Sequence, residues 1–152
     1  MKTIFDDAHG YLNSSIRTYV NATKTIDKLF AFKLVVLSMI VAVDRLIENM
    51  GTNSDTPFRT HIEDSSFFIP MAAYEQRMRD LMTLEEKNKL PSDLELSQRL
   101  HRALDILKVV YEKYGLRPLL AVNIKEFINE SQFFILDIKN LLEKQNTKIK
   151  EK

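Results

Sequence analysis

The densest run of reactive side chains lies at residues 59–65, Arg-Thr-His-Ile-Glu-Asp-Ser. Arg59, His61, Glu63 and Asp64 form a candidate polar site. An imidazole that titrates near neutrality, set beside two carboxylates, can move protons, and a guanidinium can hold an anion. None of the four stands at the fixed spacing of a catalytic motif, and the same composition is ordinary for a solvated loop. Asp6 and His9 are one helical turn apart, a weak two-donor metal pair of a kind that helix surfaces carry by accident. Di-metal bundles place Glu-x-x-His on two helices so that the ligands converge on one interior point. That pattern is absent, as are His-Glu-x-x-His, glycine-rich phosphate loops and the Gly-x-Ser-x-Gly elbow. Small all-α RNases of the HEPN type need an arginine and, four to six residues on, a histidine of the same helix. Arg59–His61 and Arg99–His101 are too close for this, and no other arginine has a histidine at that distance. No catalytic residue, metal or cofactor is expected.

Binding signals are of two kinds. Arg99, His101, Arg102, Lys108, Lys113 and Arg117 could touch phosphate, but Asp93, Glu95, Asp105 and Glu112 are interleaved with them. Arg102 or Lys108 can pair with Asp105 or Glu112 on the same helix. Lysines 144, 148, 150 and 152 fit a solubilising tail better than a nucleic-acid arm. Phe133 and Leu136 carry more weight, because they fall off the apolar stripe of their helix and could offer surface to a partner. Phe67 and Phe68 are a second aromatic pair. Met71, Met78 and Met82 fit a helix core, with an adaptable methionine-lined groove as the alternative.

The formal net charge of the 152 residues is +1, and the largest local excess is −2 over residues 51–90. A dedicated nucleic-acid binder would show a basic excess somewhere. With no cysteine, disulfides, thiolate metal sites and cysteine nucleophiles are excluded. This is compatible with the cytoplasm or another reducing compartment. Residues 1–7 do not read as a secretory signal, since Asp6 and Asp7 interrupt any apolar run. The longest apolar stretch, residues 29–43, contains Lys33 and Ser38 and is shorter than the roughly 20 residues a membrane span needs.

Three glycines and four prolines are too few for a turn-rich β fold. The periodicity instead predicts an all-α fold: a compact bundle of about five helices over residues 1–144, with an apolar central second helix, one long loop at 51–69 and a polar, lysine-rich tail at 145–152 that should fray. The first helix covers about 3–23 and bears Gly10 in its interior. The second covers about 26–50, started by Thr25 or Asp27, and is apolar on every side from Leu34 to Val43. Such a helix must be surrounded. A buried strand at 34–43 is the alternative, and so is one long bent helix through the first two. Thr56-Pro57 predicts a short helix at 57–63. The third helix, about 70–89, carries Met71, Tyr74, Met78, Leu81 and Met82 inward. Its outer face holds Glu75, Arg77, Arg79, Asp80, Glu85 and Glu86, and Pro91 ends it. Ser92 and Glu95 form an expected capping box for the fourth, about 93–114. The fifth is expected from Pro118 to about Lys144, with Leu120, Ile124, Phe127, Phe134, Ile138 and Leu141 on its stripe and a capping signature at Asn123–Glu126.

These features fit a non-catalytic interaction or regulatory protein best, acting on a protein partner or as a homo-oligomer. A small all-α enzyme with its site near residues 51–69 and the third helix is the first alternative. A nucleic-acid-associated protein is the second.

Overall fold

The central element is α2, Thr25–Asn49. Its start is fixed by Asp27, whose carboxylate accepts the backbone N–H of Lys24 at 3.2 Å. From Ala31 to Ile47 every residue but Lys33 is buried. A helix apolar all round can satisfy that only with neighbours on all sides, and α2 packs against every other described helix. The computed structural model describes residues 5–50, 71–112 and 117–151, with side chains over 5–50, 74–110 and 119–144. The expected short helix at 57–63 therefore lies outside the described residues.

Helix α1, Asp6–Val20, folds back antiparallel onto α2 and is a separate element. Residues 21–24 reverse the chain without Gly or Pro. The turn is tied by the Asn21 backbone N–H at 3.2 Å and its side-chain amide at 2.9 Å, both donating to the Arg17 carbonyl. The apolar stripe Phe5, Ala8 and Leu12 faces inward. Gly10 is exposed within the helix.

Helix α3, Met71–Glu86, stops three residues before the point expected from Pro91. Asn88 takes a left-handed φ of 60°, and the Lys89 N–H reaches back to the Leu84 carbonyl at 2.9 Å. Asn is the residue after Gly best suited to that terminating position. Ser92–Leu94 then form a single 3₁₀ turn, not a capping box. Glu95, at φ 50°, separates this turn from α4, Leu96–Glu112. Left-handed backbone at Glu95 is incompatible with a helix running from residue 93, so the start moves to Leu96. The stripe Leu96, Leu100, Ala103, Leu104, Leu107 and Val110 is fully buried.

The predicted last helix is two elements. A four-residue turn of helix, α5, covers Arg117–Leu120, and α6 runs Ile124–Glu151. The capping signature marks the true start: Asn123 Oδ1 accepts the Glu126 N–H at 3.2 Å. Leu120, expected on the stripe, is 68 % exposed because it precedes this break. The helix continues through the segment expected to fray, to Glu151. Its stripe Ile124, Ile128, Phe134, Ile135, Ile138 and Leu142 packs on α2. Phe127 meets Phe32 edge to face at 5.4 Å. Buried Ser38 and Ser131 share a 2.8 Å hydrogen bond between the same helices, and the Ser38 hydroxyl also donates to the Val35 carbonyl at 2.6 Å.

Candidate functional site

Large apolar side chains meet solvent at the α1–α2 turn, through Val20, Ile26 and Phe30, and on the outer face of α6. At 100° per residue, Phe133 and Leu136 lie roughly 150° round the helix from the centre of the buried stripe. They are 61 % and 47 % exposed. Along the same face stand Lys125, Glu126, Asn129, Gln132, Asn140, Glu143 and Lys144, all exposed. The face is continuous from the start of α6 to Lys144.

Arg99 on α4 holds α6 in this orientation. Glu130, Phe134 and Asp137 lie on one row of the helix, at i, i+4 and i+7. The Arg99 guanidinium donates from Nε to Glu130 and from Nη1 to Asp137 at 2.8 Å. It also lies 5.4 Å from the centre of the Phe134 ring and donates to the Leu94 carbonyl at 3.2 Å. Burial works to lower the Arg99 pKa, but the bonds to Asp137 and Glu130 outweigh it and raise it. Arg99, expected on a basic solvated face, is thus committed inward. Lys108 pairs with Glu75 of α3 at 3.3 Å.

A second polar constellation joins α1, α2 and α3. Arg77 is 2 % exposed, although its position in a charged run predicted an outward side chain. Tyr74, Arg77, Leu81 and Leu84 form the inward row of α3, at helical spacing. Arg77 forks onto Asp44 of α2, with Nε and Nη2 each 2.9 Å from Oδ1, and its Nη1 lies 3.3 Å from Asp80. Asp44 also receives Arg45 at 3.2 Å, and Arg45 reaches Asp7 of α1 at 2.6 Å. Burial pushes the Asp44 carboxyl above its ordinary value, against the pull of Arg77 and Arg45. Arg45 is drawn upward by Asp7 and Glu48 despite its own burial. The signal in the sequence was Asp44-Arg45 itself, two charges directly after a stretch of α2 apolar on every side. A buried charge must be compensated, and the compensating residue was Arg77.

Hollows accompany these features among the described residues. An apolar one of about 320 Å³ is lined by Thr18, Phe30, Lys33, Leu34, Leu37 and Tyr74. Another, of about 340 Å³, lies between α3 and α4 and is lined by Met78, Met82, Ser97, Gln98 and His101. Met82, expected inward, is 44 % exposed at its edge, whereas Met78, also expected inward, packs partly buried against the core beside the Tyr74–Leu81 row.

Arg59, His61, Glu63, Asp64, Phe67 and Phe68 lie outside the described residues. Among the described residues no three His, Asp or Glu side chains gather as a metal site, and His9 is exposed. No described helix is long and apolar enough to cross a membrane.

No protein-family model matches the chain, and neither a curated protein nor a solved structure does.

Proposed function

We propose that the chain is a non-catalytic interaction or regulatory protein that engages a protein partner, or a second copy of itself, through the outer face of α6. The observation that supports this reading is Phe133, a phenylalanine 61 % exposed beside a half-exposed Leu136, opposite a well-packed core stripe. Aromatic side chains dominate binding energy where a partner covers them. The buried charges point the same way. Asp44, Arg45, Arg77 and Arg99 are bound to one another or to neighbouring carboxylates, an arrangement that fixes helices against each other. A partner presenting its own amphipathic helix suits a single convex helix face.

The test is Phe133→Ser/Leu136→Ser. Both side chains lie outside the core, so the helical circular dichroism and melting temperature stay near those of the wild type. Light scattering and affinity capture with wild-type and variant chains then report on the surface. Loss of association with the fold intact supports the reading. Unchanged mass and unchanged capture would refute it.

A further inference from the structure

We infer that Met78 and Met82 of α3 and His101 of α4 form a site for a soft monovalent metal ion, Cu(I). The inference is independent of the α6 face and of what that face engages. It is carried by the donors that line the hollow of about 340 Å³ between α3 and α4: two thioethers and an imidazole, with the Ser97 hydroxyl and the Gln98 amide beside them.

The fold brings these donors to one level. Met78 and Met82 are one turn apart on α3, so their side chains leave the same face of the helix. The Glu75–Lys108 ion pair, at 3.3 Å, shows which residues of α3 and α4 face each other. Met82 lies seven residues after Glu75, and His101 lies seven residues before Lys108. Seven residues are about two turns, so each helix returns to the same facing row. Met82 and His101 are therefore level across the antiparallel pair, and Met78 joins them from the turn next to Met82.

The chemistry of the set selects the ion. Thioethers are soft, neutral donors that favour Cu(I), and imidazole also suits copper. Carboxylates and waters, which harder divalent ions prefer, do not line this hollow. A methionine side chain has three rotatable bonds, so both sulfurs can turn to one point without a backbone shift. Access is graded. Met82 and His101 are exposed, and Met78 packs partly buried against the core. The ion is met at the surface by the first two and held from below by the third. The His101 side chain makes no hydrogen bond or ion pair with the described residues, so its ring is uncommitted. With no cysteine in the chain, no thiolate competes for the ion.

Anaerobic titration of the full chain with Cu(I), against bicinchoninate as a chromogenic competitor, tests this. The wild type withdraws one equivalent of Cu(I) from the chelator. Met82→Leu and His101→Asn, both at exposed positions, keep the wild-type circular dichroism and weaken binding by at least about tenfold. Met78→Leu, which conserves volume, weakens it likewise. Ag(I), a redox-inert ion of the same charge and softness, identifies the donors: the methyl resonances of Met78 and Met82 move, and that of the buried Met39 stays. A wild type that withdraws no Cu(I) at any chelator ratio overturns the site. So does undiminished binding by Met78→Leu/Met82→Leu, or a methyl response at Met1 or Met50 with Met78 and Met82 unmoved. Displacement of the bound Cu(I) by excess Zn(II) overturns the choice of ion.

Discussion

Arg77→Met is the sharpest test of the buried charges. The substitution keeps most of the aliphatic stem and removes the guanidinium. Asp44, whose side chain is 7 % exposed, loses two contacts of 2.9 Å and keeps Arg45 at 3.2 Å. Removing one partner of a buried pair costs about 3–5 kcal/mol. The retained Arg45 places the expectation near the lower end, about 3 kcal/mol. For a chain of this size that is a fall in melting temperature of roughly 6–12 °C. Urea unfolding followed by circular dichroism at neutral pH measures it.

The pH dependence has a definite sign. Asp44 in the folded chain lies above its ordinary 3.8, so the folded chain takes up this proton before the unfolded chain does. Ionised Asp44 therefore opposes folding at neutral pH, and that opposition fades as pH falls through the folded value towards 3.8. Without Arg77 the folded value rises further, so the deficit of the variant narrows on acidification. Arg77→Met/Asp44→Leu, which removes both charges, recovers to within about 1 kcal/mol of wild type at neutral pH. A single variant within 1 kcal/mol of wild type, or a double variant no better than the single, would refute the account of this cluster.

Other substitutions probe the helices that carry the α6 face. Ser38→Ala strands the Ser131 hydroxyl and costs about 1–3 kcal/mol, whereas Ser131→Ala costs less, because Ser38 keeps its bond to the Val35 carbonyl. Gly10→Ala stabilises the chain by about 0.5–1 kcal/mol in thermal unfolding, since a Cβ there meets no atom within 4 Å. Glu95→Gly at φ 50° raises the melting temperature by a degree or two, the gain of relieving a left-handed backbone where no helix needs propensity.

The helices were legible because local signals and packing agreed. The apolar run at 34–43, interrupted only by Ser38, required α2 at the centre, and the heptad-like spacing of Leu96, Leu100, Ala103 and Leu107 required one buried face for α4. Asn123–Glu126 marked a start, but the preceding Pro118 drew the expected boundary six residues too early. Ser92–Glu95 has capping-box residues without the conformation, since Glu95 is left-handed. Local sequence could not see the pairing of Arg77 with Asp44, which spans 33 positions and two helices. Phe133 and Leu136 were legible by elimination, as the two apolar residues that the stripe of α6 does not use.

The central claim is that α6 engages its partner, another protein or a second copy, through its outer face. Amide chemical shifts of the wild-type chain, in a dilution series from millimolar to low micromolar and on addition of a partner recovered by affinity capture, test it most directly. The account predicts shifts confined to the outer face of α6 and greatest around Phe133 and Leu136, with α1 and α3 unmoved. Shifts centred on any other helix, with that face silent, would contradict it.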